Sequence, residues 1–409
     1  MSEVTLRVAP KDFAPPTMIG RMRSRCLTVG LVFSVLAIAA AVLHWNIFLR
    51  AWLFSFIFWL GLTTGPLALL MLQYASGGNW GRLGRRIWEA AAGNWWLMLL
   101  FWIPIVIGMK QDLLFPWTHM DAKVLGPDKV RLYLNPTLFI VRGLIYFAGW
   151  GTLTTLLYKW SEKEEAGQAT PAQFVRIQNL SGFGIVFYAA SITFGSIDWA
   201  MSLYPQWWST VWGMLFMVGQ VLTTFCFTIW LFTRLSSVEP VSRIFKVDYL
   251  HDFSKLMFAF VVLWAYLSFS QWIIIWSGNM LSEIRWYIMR LQNGWQYFGV
   301  TLICVHFVFP FALLLSRNTK RSIQRVVSIA LLVIFMRMVD LFWLTAPNFY
   351  PGTDGGLHNF HLADAAIYAV CPIAMGGIWL FFFYQRLSKR SLMPVNDPGF
   401  VEMLEAKHG

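Results

Sequence analysis

"SITFGSIDWAMSLYPQWWST", residues Ser191–Thr210, is apolar and aromatic along nearly its whole length, yet it contains a carboxylate, Asp198. The apolar character continues on both sides, over Ser181–Leu203 and again over Trp207–Leu235. Each stretch is long enough to cross a bilayer core, which takes about 20 residues of helix. Ten stretches of the chain meet this requirement: Leu27–Phe48, Ala51–Tyr74, Trp95–Phe115, Thr137–Trp160, Ser181–Leu203, Trp207–Leu235, Phe253–Trp276, Trp295–Leu315, Ser322–Leu344 and His361–Gln385. The expected fold is an all-α integral membrane protein with ten transmembrane helices.

Composition agrees. Apolar residues make up 57% of the 409 and charged residues 13%, too little polar surface for a soluble chain of this length. The net charge of +12 does not indicate nucleic acid, because the basic residues lie mostly in short loops between apolar spans. The first twenty-five residues are polar and basic and lack an apolar signal core, so the first span is expected to act as its own insertion signal. Cys26, Cys226, Cys304 and Cys371 form no CxxC or CxxCH pair, which argues against covalent haem, an iron–sulfur cluster or zinc held by this chain. His306 is the one histidine deep in a span, which argues against a bis-histidine haem as well.

With an even number of spans, both termini share a side. Of the 32 lysines and arginines, 22 fall on that side and six on the other, so both termini are expected in the cytoplasm. "GNWGRLGRRIWEAAAGNW", between the second and third spans, is too polar to cross. It is expected to lie in the interface with Arg82, Arg85 and Arg86 towards lipid headgroups. "SEKEEAGQATPAQ" is expected to be a solvated connector. A faint internal echo links "LLFW" (Leu99–Trp102) and "VVLW" (Val261–Trp264).

Charged groups inside a span cost at least about 2.5–3.5 kcal/mol each and normally face partners or a wet cavity. They gather in the outer half: Asp198 seven residues before Pro205, Arg142 early in the fourth span, and Arg337 with Asp340 in the ninth. Arg337 and Asp340, three apart, can be a structural pair or serve a function. Lys110, Asp112, His361 and Asp364 read as interfacial. His306 reads as a hydrogen-bonded core histidine rather than a ligand. Asp198 has no basic residue within a helical turn, so its partner must come from another span, Arg142 or Arg337. A desolvated carboxylate can take or pass a proton near neutral pH, as a quinol site or proton exit requires. Trp199, Arg142 and Trp207 are the expected quinone-binding residues, since indoles suit a flat ring.

Two longer stretches carry a resemblance. "SIDWAMSLYPQWWSTVWGM" (Ser196–Met214) resembles the DW-x-MSL-x-P-x-W-x-ST signature of the large membrane subunits of alternative complex III. "HDFSKLMFAFVVLWAYLSFSQWIIIWSGNMLSEIRWYIMR" (His251–Arg290) resembles the matching segment of the ActF family of these subunits more closely still. The resemblance implies an NrfD-like fold of two four-helix bundles, residues 51–203 (helices 2–5) and 207–345 (helices 6–9). Helices 1 (27–50) and 10 (361–386) would flank them, with cytoplasmic tails at 1–26 and 387–409. It implies a place in the bacterial inner membrane beside an NrfD-like paralogue (ActC), an iron–sulfur subunit, c-type cytochromes and, at a further remove, a terminal oxidase. Haem c and iron–sulfur clusters would reside in those partners, with none bound by this chain. A proton-translocating role is implied, with a second quinone pocket as a further expectation. The match carries over Asp198, Trp199, Ser202, Pro205, Trp207 and Ser209, then Asp252, Lys255, Tyr266, Ser268, Gln271, Trp276, Gly278, Asn279, Glu283, Trp286 and Tyr287. Gln206, where relatives often have His, and Arg285, where proline is usual, depart from it.

The leading expectation is a proton route in a quinol-oxidising complex. Asp252 and Lys255 would form its inner intake, Tyr266, Ser268 and Gln271 lie further along the seventh span, His306 is a further candidate near mid-membrane, and Asp198 with Arg337 and Asp340 would form its exit. Lys255 and Tyr266 share one helix face, while Ser268 and Gln271 lie towards the opposite one, so one straight path uses a single pair. The alternatives are a secondary transporter with a buried polar path, and a scaffold for cytochrome subunits.

Overall fold

Prolines set where two of the long helices begin. Asn135 Oδ1 accepts from the Leu138 amide at 2.8 Å just before Pro136, and Thr170 with Gln173 forms a capping box ahead of Pro171. Proline at a first helical position loses no hydrogen bond, because that amide has no partner within the helix. The computed structural model describes residues 13–78, 80–245, 247–350, 357–397 and 399–400, and every regular element among them is helical. Of the expected tails, residues 1–12 and 401–409 lie outside the described residues.

The helices used below are α1 (Thr17–Leu43), α2 (Trp45–Ser76), α3 (Arg85–Ala92), α4 (Trp95–Lys110), α5 (Pro136–Glu165), α6 (Pro171–Trp199), α7 (Trp212–Leu235), α8 (Val247–Gly278), α9 (Leu281–Arg290), α10 (Gln296–Leu315), α11 (Ile323–Thr345) and α12 (Leu362–Leu387). Nine helices among the described residues are long and apolar enough to cross a membrane. The remaining expected span, Trp95–Phe115, is shorter than read. Its helix ends at Lys110, just before Asp112 turns the chain with a φ of +59°. At 16 residues α4 is about 24 Å long. It reaches span length only together with the preceding Arg82–Ala92, from which it is bent by 42°.

Both α2 and α7 are apolar on all faces and buried on all sides, as helices at the centre of a bundle must be. They pack against each other. Around α2 lie α4, α5 and α6, each touching the next; α7 is flanked by α8 and α11, with α10 lying between those two. Helices α1 and α12 pack together and both lie on α2. Gly30 and Gly377 let them meet backbone to backbone: a Cβ on Gly377 would come within 2.4 Å of the Gly30 Cα. The two ends of the described chain meet as well, Leu392 N donating to the Phe13 carbonyl at 2.9 Å, so both described ends lie at one end of the bundle.

That end corrects two expectations. Arg85 and Arg86 do not face headgroups; they are 2% and 4% exposed. Arg85 reaches Glu89 at 3.2 Å, Asp397 at 3.1 Å and Glu164, and lies over the Tyr74 ring at 4.6 Å. Arg86 pairs with Glu89 at 2.8 Å and Glu165 at 3.3 Å. Nor is "SEKEE" a solvated connector: it is the last turn of α5, with Ser161 and Glu164 buried. The chain after α12 folds back over it, and Arg390 Nε donates to Glu165 at 2.6 Å. Burial works against the charge on Arg390, but Glu89 and Glu165 outweigh it and hold its pKa above the ordinary arginine value. Carboxylates and guanidiniums from α3, α5 and the C-terminal segment thus neutralise one another where each alone would be too costly to bury.

Candidate functional site

Asp198 is 1% exposed near the end of α6, and its partner is Arg142 of α5, not Arg337. The pair is bidentate, Nε to Oδ2 at 3.0 Å and Nη2 to Oδ1 at 2.6 Å, a geometry that fixes both groups. Tyr146, one helical turn after Arg142, donates to Oδ2 at 3.0 Å. The remaining reach of Arg142 goes to the Tyr133 carbonyl at 3.0 Å, with the Tyr133 ring 3.9 Å from the guanidinium carbon. Ser202 donates to the Asp198 carbonyl at 2.6 Å, closing the helix end. Trp199 is buried edge-on between Phe56 and Tyr146.

A counterpart lies in the second group of helices. On α11, Arg337 and Asp340 are in direct contact and 3% and 2% exposed. Trp264 of α8 donates its indole N–H to Asp340 Oδ2 at 3.1 Å. Gly219 of α7 makes room for the guanidinium, since a Cβ there would lie 2.1 Å from Arg337 Nη2. Both aspartates stand seven residues before a proline, in "DWAMSLYP" (Asp198–Pro205) and "DLFWLTAP" (Asp340–Pro347), and in both a 3₁₀ turn follows the helix. This echo is more telling than "LLFW" and "VVLW", because it repeats a buried charge with its local structure. The two pairs do not form one exit: α7 stands between α6 and α11 and packs on both.

Beside the second pair is a cavity of about 530 Å³ bounded by α8, α9, α10 and α11. Its wall is largely apolar, with Ser268, Gln271, Tyr287, Gln296 and Asp340 as its polar groups. Gln271 is 3% exposed; it accepts from Ser209 at 3.1 Å and donates to the Tyr287 hydroxyl at 3.2 Å. Behind Trp264, His306 sits in a π-helical turn, Leu302–Val308, fully buried with ring centroids 4.3 Å apart. Neither of its nitrogens has a hydrogen-bond partner among the described residues, so the expected hydrogen-bonded core histidine is not what the fold contains. Such turns recur at functional sites.

The expected residues therefore divide. Ser268, Gln271 and Asp340 share the cavity, with Arg337 and His306 just behind it. Asp252 and Lys255 form an exposed pair 3.2 Å apart at the opposite end of α8, and Tyr266 is 63% exposed on its outer face. None of these three lines the cavity. Of the expected quinone ligands, Arg142 is committed to Asp198 and Trp199 to the core. Trp207 is stacked on Trp286, with centroids 4.4 Å apart and planes 10° from parallel. None of the three lines the cavity. Tyr146 and Trp264 were missed as site residues, although Tyr146 lies four residues from Arg142, the spacing of one helix face; Tyr287 entered only through the resemblance, without a role. Arg290 is fully buried and donates to the carbonyls of Trp286, Trp343 and Leu344 and to Asn348. Asp364 is buried too, receiving the Tyr350 hydroxyl at 3.1 Å as it caps α12.

No protein-family model matches the chain, and no curated protein matches it significantly.

Proposed function

We propose that this chain is an ActF-type, NrfD-like membrane subunit of alternative complex III, in the inner membrane of a bacterium with both termini cytoplasmic. In that complex quinol oxidation feeds electrons to partner subunits that hold iron–sulfur clusters and haem c. The observation that carries the proposal is the repeated one: a buried Asp–Arg pair in each of two four-helix groups, each aspartate seven residues before a proline. The arrangement of α1 and α12 beside the two groups supports the NrfD-like assignment, and the excess of basic residues at the end with the termini supports the orientation. The chain's contribution is to hold carboxylates ready for protons near the end away from the termini. Asp340 suits this, since its hydrogen bonds among the described residues fall on Oδ2 and leave Oδ1 to accept.

Lys255 and Tyr266 face outward, so the proposal is proton acceptance in the outer half, not a straight path along α8. A secondary transporter, the alternative, needs a polar path reaching water; the cavity wall is instead largely apolar, with Phe269, Val300 and Ile303 exposed at its edge. In proteoliposomes, Asp198→Asn and Asp340→Asn are each expected to slow quinol-driven proton release by about tenfold or more, with subunit composition intact. Unchanged release in both variants would turn the assignment towards a scaffold.

A further inference from the structure

The "HDFSK" stretch (His251–Lys255) opens α8 and takes no part in the buried aspartate–arginine pairs or the cavity. Packed against this end of α8 is a short helix, Arg317–Arg321, in the connection between α10 and α11. The two segments gather cations. The charges of Lys255, Lys320 and Arg321 all reach His251. Asp252 holds Lys255 at 3.2 Å and Asp248 holds Arg321 at 3.1 Å. Arg317, Lys320 and Arg325 have no carboxylate at ion-pair distance among the described residues. Arg317 and Lys320, three apart, share a face of their helix. Around Arg85 the chain supplies its own carboxylates; here it leaves three cations without them.

Next to these cations the surface turns apolar. Lys320 Nζ lies 5.5 Å from the centre of the Phe258 ring. Phe258 in turn stacks on Phe311, with centroids 5.5 Å apart, and closes the seam between α8 and α10. Leu315 at the end of α10 is 59% exposed, and Val262 and Tyr266 are exposed on the face of α8 that begins with Lys255. Apolar side chains exposed along spanning helices face hydrocarbon. A basic rim above an apolar seam complements one class of molecule, a lipid whose headgroup is negative. We infer that the α8–α10 seam, where it meets Arg317–Arg321, is a site for an anionic glycerophospholipid. Its phosphate lies against Arg317 and Lys320, and its acyl chains lie along Phe258, Leu315 and Val262. A zwitterionic lipid would bring its own cation against the rim, and a free phosphate ion would leave the seam uncovered. Asp248 and Asp252 are each engaged by a cation, so they oppose the phosphate only weakly. The site is independent of the quinol-linked function proposed above, since it needs no partner subunit.

The test places the protein, as it purifies, in phosphatidylcholine vesicles with a trace of phospholipid carrying a photoactivatable acyl chain. The headgroup of the trace lipid is phosphatidylglycerol in one sample and phosphatidylcholine in the other, and adducts are mapped by peptide. Each cation near an anionic headgroup strengthens binding about fivefold, so adducts on 255–266 and 308–316 should favour phosphatidylglycerol by about tenfold or more. Excess inorganic phosphate at constant ionic strength should leave them in place. Arg317→Gln with Lys320→Gln should cut the preference by about fivefold or more. Neither side chain has an ion-pair partner, so their loss strands no charge. Arg317→Lys with Lys320→Arg keeps both charges and should keep the preference. Arg21→Gln with Arg25→Gln, on α1, should leave labelling of the seam unchanged. Equal labelling by the two lipids in the wild type, or a preference that survives loss of both charges, would overturn the inference. So would a preference lost equally in the α1 variant, which would mean overall charge rather than a site, or displacement of the label by inorganic phosphate.

Discussion

Arg142→Leu is expected to destabilise the protein by about 3–5 kcal/mol, the usual result of removing one partner from a buried ion pair. The substitution leaves Asp198, 1% exposed, with the hydroxyls of Tyr146 and Tyr133 and no cation against it. In a spanning helix the carboxylate cannot turn to water without disturbing α6. The double variant Arg142→Leu with Asp198→Leu is expected to recover most of the loss, because it removes both charges and leaves apolar volume in their place. The melting temperatures of the two single variants and the double variant in detergent form a cycle that isolates the coupling. A double variant as unstable as the worse single one would mean that the pair matters for shape rather than for charge.

Arg85→Met should be comparably damaging at the opposite end. Arg85 touches three carboxylates, those of Glu89, Glu164 and Asp397, which come from α3, α5 and the segment after α12. Without it Arg86 and Arg390 still serve Glu89 and Glu165, but Glu164 loses its closest cation. The expected result is a loss of several kcal/mol, with release of the C-terminal segment that Asp397 helps to pin. Limited proteolysis checks this: cleavage between residues 388 and 400 should accelerate in Arg85→Met relative to wild type. Arg85→Lys is expected to fall between the two, because an ammonium places its three N–H donors on one nitrogen and lacks the planar, spread-out fork by which the guanidinium reaches these carboxylates. Unchanged proteolysis in Arg85→Met would mean that the tail is held by Leu392 and its neighbours instead.

The sequence made the spans legible because a run of about 20 apolar residues has one use in a chain of this composition. It also marked Asp198 as buried and in need of a distant partner, since nothing basic stands within a turn of it. Which partner it takes depends on α5 lying against α6, a tertiary fact. The cluster around Arg85 misled for a related reason. Charges in "SEKEE" and in Arg85 and Arg86 look solvated one segment at a time, and only the returning C-terminal segment reveals that they neutralise each other. For α8, helical spacing correctly separated the Ser268–Gln271 face from that of Tyr266. The cavity beside that face was not legible, because its volume depends on how α9 and α10 pack. His306 was read as satisfied because buried histidines usually are; its π-helical turn carries no clear sequence signal.

The most direct test of the proposed function is purification of the protein from its own membranes in mild detergent. The visible spectrum and quinol-driven cytochrome reduction would be recorded on the purified material, with mass spectrometry of everything that accompanies the chain. A c-type haem spectrum, a large iron–sulfur subunit and quinol-dependent reduction travelling with this chain are the expected result. A colourless protein of stable size, free of partners and without quinol-linked activity, would contradict it and direct attention to transport.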